Sequence, residues 1–303
     1  MRAHYAEDAE GFLRYLEIPG DDPPILWLHG VLCASTAELA PAAVQEPLAG
    51  RRSLLIDLIG YGFSDRPQQF GYSLADHART VVSLLDGLQL DRCYLVGHSM
   101  GGTIAALVAA QRPQAVAALI MAEANLEPDV EGGISGSIAG QSEEQFAASG
   151  LAQLIHAQEQ LALQDHSGIP AAHLGMVRIL SARAVHRSAR SLARGTDPTV
   201  RSLLKGLPMP RFYLYGELSE FTANELEAKE DLQANGVEYL AVPKAGHPMG
   251  LQNPYGLAER VAQTIGLEPS GLPMPVPQRS LAIQCGDKLE QARARSGLAS
   301  ARP

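Results

Sequence analysis

Residues 95–102 read Leu-Val-Gly-His-Ser-Met-Gly-Gly, which sets Ser99 in a G-x-S-x-G pattern between an apolar run and a small-residue run, residues 103–107. A serine at a sharp strand-to-helix turn is forced into a strained backbone conformation and projects above the sheet edge. Gly97 and Gly101 flank it because side chains there would strike neighbouring backbone in so tight a turn. A helix starting beneath Ser99 would offer free N–H groups and a positive dipole end to developing negative charge. These features suit a nucleophile, which needs a base to take its proton. His247 is a candidate for that base: residues 242–249, VPKAGHPM, set a Gly-His turn after an apolar run, before Asn253-Pro254 opens a last helix. A carboxylate to orient the base is less plainly marked. Glu123 follows the apolar run at residues 118–121, and a buried strand-end carboxylate is costly unless paired. A basic histidine would be such a partner.

The elements that must position these residues are short, nearly continuous apolar runs at residues 25–28, 53–59, 93–96, 118–121, 211–215 and 238–242. Continuous rather than alternating apolarity suits strands covered on both faces. Helix-like stretches at 74–88 and 103–111 alternate with them, the latter stopped by Pro113, so an α/β fold with a mostly parallel, doubly wound sheet is expected. Residues 12–18 and 4–9 could add an antiparallel edge. The alternation breaks between Met121 and Pro208, where only helical patterns occur, including 143–163 and 179–194. This insertion after the sixth strand leaves a carboxyl end, where open α/β sheets place ligands, and reads as a helical lid. The expected organisation is a core at 1–122 and 209–267, a lid at 123–208, and a Pro-rich linker with a basic tail at 268–303.

The chain resembles the α/β-hydrolase fold superfamily over roughly residues 10–266. The nucleophile elbow carries the resemblance, joined by two further blocks. Leu28-His29-Gly30 looks like the family's HG signature before an oxyanion hole, and residues 57–65, DLIGYGFSD, match its D-x-x-G-x-G-x-S-D turn. The resemblance implies an oxyanion hole made by the N–H groups of Val31 and Met100, with Leu32 a lesser candidate. It also implies His247 as the base and a structural role for Asp57 and Asp65. His29, Gly30, Leu32, Cys33 and His98 lie close enough to the site to be weighed as substrate contacts. The acid departs from the usual pattern. Most relatives carry an aspartate three residues after the glycine that ends the penultimate strand, where Tyr215-Gly216-Glu217-Leu218-Ser219 has Ser219. Some members place a glutamate at the end of the preceding strand, the position of Glu123. Glu123 is therefore taken first and Glu220 second, with Glu217, Asp129 or no acid also open.

The resemblance implies a serine hydrolase, with a small-molecule carboxylic ester or lactone as substrate. C–C bond hydrolysis, acyl transfer, a cofactor-free haloperoxidase side activity and a slow or non-catalytic ligand receptor remain alternatives. A serine nucleophile argues against the dehalogenase and epoxide-hydrolase routes, which use an aspartate. No metal or organic cofactor is needed. Arg183, Arg187, Arg190 and Arg194 recur on one helical face and read as a solvated basic stripe. His156, His166, His173 and His186 in the lid read as surface residues.

Composition sets the outer bounds. The 303 residues carry a net charge of −9, with 46% hydrophobic and 19% charged residues, so a nucleic-acid partner is not expected. The three cysteines, Cys33, Cys93 and Cys285, suggest neither a disulfide framework nor a metal site. The start, MRAHYAEDAEGF, has no apolar core, and no run approaches the roughly 20 residues of a membrane span. A soluble cytoplasmic protein without a membrane partner is the expectation; oligomeric state is not legible.

Overall fold

The computed structural model describes residues 1–128 and 133–267. The expected linker and tail from residue 268, Cys285 and the alternative acid Asp129 lie outside them. Eight strands form one sheet: β1 (Arg2–Ala6), β2 (Gly11–Ile18), β3 (Asp21–Leu28), β4 (Arg51–Asp57), β5 (Cys93–His98), β6 (Val116–Ala122), β7 (Arg211–Gly216) and β8 (Val237–Val242). Their order is β1-β2-β4-β3-β5-β6-β7-β8. β1 and β2 pair antiparallel, as do β2 and β4, while every later pairing is parallel. The six apolar runs are β3 to β8.

Their continuous apolarity has a simple cause. Successive side chains of a strand point to opposite faces. Leu26 and Leu28 of β3 join Leu54, Ile56, Leu95 and Met121 on one face. Ile25 and Trp27 join Leu55, Val96 and Ile120 on the other. Both faces are dry, so both sets must be apolar, and each large side chain contributes about 1.5–3 kcal/mol on leaving water.

Helices cover both faces. The core helices are α1 (Ser35–Glu38), α2 (Ala40–Ala43), α3 (Leu74–Gly87) and α4 (Met100–Gln111). Between β6 and β7 come α5 (Ile134–Ala139), α6 (Glu143–Gln145), α7 (Leu151–Gln164), α8 (Ile169–Val177), α9 (Ala182–Arg194) and α10 (Val200–Gly206). The core resumes with α11 (Ala223–Ala234), α12 (Met249–Gln252) and α13 (Pro254–Thr264). A π-helical turn at Phe146–Gly150 joins α6 to α7, so the expected helix at 143–163 is one interrupted rod.

α9 fastens the inserted helices to the core. Its Ser188 hydroxyl donates to the Tyr72 carbonyl at 3.1 Å, its Arg187 guanidinium to the Phe70 carbonyl at 2.9 Å, and the Leu74 N–H donates to Ser191 at 3.1 Å. The stripe of arginines is therefore not uniformly solvated: Arg183 and Arg187 both pair with Glu143, at 3.0 and 2.7 Å. Nor is His186 a surface residue, since it is 2% exposed with Nε2 2.8 Å from the Gln141 carbonyl. α8 packs beside α1, just after the carboxyl end of β3. No helix among the described residues is long and apolar enough to cross a membrane.

Candidate active site

The carboxyl ends of β3, β5, β6 and β8 bring the candidate residues to one edge of the sheet. At the end of β5, Ser99 has φ 51° and ψ −122°, a backbone conformation that a non-glycine residue adopts at a cost of about 1–3 kcal/mol. Two glycines permit the turn. A Cβ on Gly97 would lie 2.3 Å from the Gly101 carbonyl oxygen, and one on Gly101 would lie 2.2 Å from that of Leu28. Nothing but hydrogen fits either place. Ser99 N–H donates to the Ala122 carbonyl at 2.8 Å, which ties the elbow to the end of β6. α4 starts at Met100 immediately after the serine, presenting its N-terminus there.

The turn after β3 approaches from the other side. Cys33 N–H closes it onto the Gly30 carbonyl at 3.2 Å, leaving Val31 and Leu32 at its centre. A Cβ on Gly30 would sit 3.3 Å from Ser99 Cβ, so the turn lies against the nucleophile elbow. His29 is fully buried; its Nε2 accepts from Leu58 N–H at 3.1 Å and its Nδ1–H donates to the Gly30 carbonyl at 2.7 Å. Burial pushes its imidazole down, in keeping with the neutral tautomer those two bonds demand. His29 braces the turn instead of facing a ligand. Asp57 is likewise spent on the fold, accepting from the Thr36 and Phe63 N–H groups, and Asp65 accepts from Phe12 N–H.

At the end of β6, Glu123 adopts φ 43° and its N–H donates to the Leu214 carbonyl at 2.9 Å. Its carboxylate is three times engaged. Oε2 lies 2.6 Å from His247 Nδ1; Oε1 accepts from Gly216 N–H at 2.8 Å and from the Ser219 hydroxyl at 2.5 Å. Burial alone would raise the Glu123 carboxyl, but the hydrogen bonds from His247, Ser219 and Gly216 outweigh it and hold the group below the ordinary glutamate range. Its side chain is 13% exposed against 54% for His247, so the carboxylate supports the ring from within while the ring faces outward. Glu220 is exposed, and Glu217 is exposed with its carboxylate accepting the Lys244 N–H at 2.9 Å. Neither competes for His247 in this geometry. Ser219 donates to Glu123.

After β8, Gly246 N–H donates to the Gln252 side chain at 2.6 Å and the Asn253 side chain donates to the Pro243 carbonyl at 2.7 Å. These bonds fix the loop that carries His247. Two residues weighed as substrate contacts are held elsewhere. His98 is 3% exposed, with Nδ1 2.6 Å from Glu38 Oε1 and Nε2 2.9 Å from the His247 carbonyl oxygen. Cys33 is buried, and burial together with the Glu38 carboxylate pushes its thiol well up, which leaves it protonated and inert.

Glu38 is the residue the sequence reading passed over. Residues 35–38, Ser-Thr-Ala-Glu, have the look of a helix-capping S-x-x-E pattern, which gives the glutamate a bland role. In fact the Ser35 hydroxyl donates to the Trp27 carbonyl and Glu38 turns inward, 2% exposed. Among the described residues no group of histidine, cysteine and carboxylate side chains is arranged to hold a metal ion.

Comparison with known proteins bears on this arrangement. Residues 23–135 match the family described as alpha/beta hydrolase fold. The chain is 39% identical over 115 residues to an uncharacterized Mycobacterium tuberculosis protein, a match covering 38% of this chain and 33% of that protein. It is also 39% identical over 115 residues to an sn-1-specific diacylglycerol lipase of Mus musculus, covering 37% and 36%. The match thus spans about a third of the length of these curated relatives. Over most of the chain the likeness is one of fold. An enol-lactonase from Burkholderia xenovorans superposes with a TM-score of 0.72 at 17% identity, covering 87% of this chain and 99% of that one.

Proposed function

Since residues 23–135 match the alpha/beta hydrolase fold family and the chain has that fold, we propose that it is a serine hydrolase that cleaves a small-molecule carboxylic ester or lactone through an acyl-enzyme on Ser99. The observation that carries the proposal is the 2.6 Å contact between Glu123 and His247 Nδ1. It assigns the Nδ1 proton to the bond with Glu123 and leaves the opposite nitrogen, Nε2, unprotonated and able to accept. His247 then takes the proton of Ser99 as the hydroxyl oxygen attacks the acyl carbonyl. Val31 and Met100 N–H groups receive the tetrahedral oxyanion, helped by the N-terminal end of α4. His247 returns the proton to the leaving alkoxide, and water, deprotonated by the same ring, releases the acid from Ser99. Glu123 stays ionised throughout and stabilises the imidazolium formed in each half-reaction.

The helices between β6 and β7 act as a lid in this reading, with α8 beside the turn after β3. A carboxylic ester is favoured because a neutral acyl carbonyl needs two amide donors and no cation. Arg183 and Arg187 of α9 are both turned onto the Glu143 carboxylate, which offsets one of their two charges. The test is hydrolysis of p-nitrophenyl acetate by wild type and Ser99→Ala. Turnover by wild type that falls to the buffer rate in Ser99→Ala is expected; equal turnover by both proteins would refute the assignment.

A further inference from the structure

We propose that Glu38 and His98 form a buried carboxylate–imidazolium pair that positions the turn carrying the oxyanion amide and the loop carrying the general base. Both are positioning residues, and their role rests on the serine-hydrolase reading above.

One hydrogen bond and one close ionic contact bear on the charge state. His98 Nε2 lies 2.9 Å from the His247 carbonyl oxygen, which can only accept, so Nε2 carries a proton. His98 Nδ1 lies 2.6 Å from Glu38 Oε1. His98 Nδ1 nonetheless makes no well-directed hydrogen bond, so the contact is an ion pair more than a straight hydrogen bond. With no polar hydrogen directed at it, Nδ1 has a carboxyl oxygen 2.6 Å away as its nearest charge, and the pair is read as ionised, with a proton on Nδ1 facing the Glu38 carboxylate. A ring with a proton on each nitrogen is an imidazolium. Burial alone would lower the His98 imidazole, and the Glu38 carboxylate raises it past its ordinary value instead. Glu38 itself, despite its burial, is pulled down to about 2, chiefly by His98 and with help from the Gly30 amide. The remaining titratable groups about the pair are Cys33, which donates to Glu38, Glu123 and His247 on the His98 side, and His173 from α8.

The pair joins two loops that lie far apart along the chain. Glu38 Oε2 accepts from Gly30 N–H at 3.3 Å, immediately before Val31. His98 immediately precedes Ser99, and its ring holds the backbone of His247 itself, the two rings lying 4.7 Å apart. The α12 backbone, two residues beyond His247, abuts the same place: a Cβ on Gly250 would lie 2.6 Å from the Glu38 carbonyl oxygen. One buried ion pair therefore sets nucleophile, oxyanion turn and base against one another. Reacting groups displaced by about 1 Å can lose rate by about 100-fold.

The test compares wild type, Glu38→Gln and the double variant Glu38→Leu/His98→Leu, which removes both charges at once and leaves no lone buried charge. Turnover of p-nitrophenyl acetate is read as separate kcat and KM, with circular dichroism for folding and nitrogen-15 NMR for the histidine rings. In the double variant kcat is expected to fall about 10- to 100-fold with KM little changed. Glu38→Gln should stay within about fivefold of wild type. Its amide can still accept from Gly30 and donate to a neutral His98, whose Nε2–H keeps the His247 carbonyl. Wild-type His98 should show protons on both ring nitrogens at pH 7, above the ordinary histidine value, and lose one in Glu38→Gln. A folded double variant with wild-type kcat overturns the positioning role. A singly protonated His98 in wild type overturns the pair, and this readout decides if the double variant does not fold. Wild type that neither turns over the ester nor reacts with a fluorophosphonate would sink the serine-hydrolase reading instead, with the ring NMR still judging the pair.

Discussion

Replacing Glu123 by glutamine exchanges one oxygen for an NH2 group, and the structure dictates which one. Oε1 already receives two donors, Gly216 N–H and the Ser219 hydroxyl. The glutamine must keep its oxygen there, since an NH2 in that place would face two N–H or O–H groups with nothing to accept. Its NH2 is then turned toward His247 Nδ1. That nitrogen can satisfy the NH2 only by accepting, which moves the ring proton to Nε2, the atom that must take the proton of Ser99. The variant keeps the shape of the site and holds its base in the wrong tautomer. The same exchange of carboxylate for amide in a serine protease triad costs about 10⁴-fold in kcat, or roughly 5 kcal/mol of transition-state stabilisation. The expected outcome for Glu123→Gln is therefore a kcat for p-nitrophenyl acetate roughly 10³- to 10⁴-fold below wild type, with KM and circular dichroism preserved. Glu220→Gln, altering an exposed carboxylate, should stay within about twofold. A Glu123→Gln variant within tenfold of wild type, or a larger loss in Glu220→Gln, would refute the reasoning.

Other perturbations follow from the same contacts. Gly101→Ala places a methyl 2.2 Å from the Leu28 carbonyl oxygen; a backbone collision of this kind should destabilise by at least ~3 kcal/mol, read as a loss of soluble protein or a lowered urea midpoint. Arg187→Ala removes the pair with Glu143 and the bond to the Phe70 carbonyl, and should lower stability by about 1–2 kcal/mol in thermal unfolding while leaving Ser99 labelling intact. The pH dependence of stability has two limbs. Glu38 is depressed to about 2 from an ordinary 4.5, so its stabilisation is present above pH 4.5 and is lost as pH falls toward 2; a loss on the order of 3 kcal/mol is expected in acid titrations followed by denaturant unfolding. His98 is raised, so its share is complete below pH 6.5 and is lost only as pH climbs through its elevated value. Glu38→Leu/His98→Leu should flatten both limbs.

Much of this architecture is written in local pattern. Ser99, its two glycines and the flanking strand and helix form a contiguous signal, because an elbow so tight admits few sequences. The six core strands are legible because both faces of a parallel sheet exclude water, leaving unbroken apolar runs such as ILWL. Glu123 could be singled out because a carboxylate closing such a run needs a partner. What stayed hidden is long-range. Ser219 stands in sequence as a missing acid, and only the geometry makes it a donor to Glu123. Glu38 lies 60 positions before His98, and neither carries a sign of the other; one resembles a helix cap and the other a spacer in the elbow. The arginines of α9 follow the same rule, since the spacing that lines them up says nothing of Glu143, forty residues before Arg183, which pairs with two of them. Pairings across the chain are set by packing, and a single sequence read by periodicity does not contain them.

The measurement that bears most directly on the central claim is labelling by a fluorophosphonate, read by intact mass on wild type, Ser99→Ala and Glu123→Gln. Stoichiometric labelling of wild type, none in Ser99→Ala, and markedly slower labelling in Glu123→Gln is the predicted result. A folded wild type that takes up no label, or a Ser99→Ala protein labelled as fast as wild type, would contradict it.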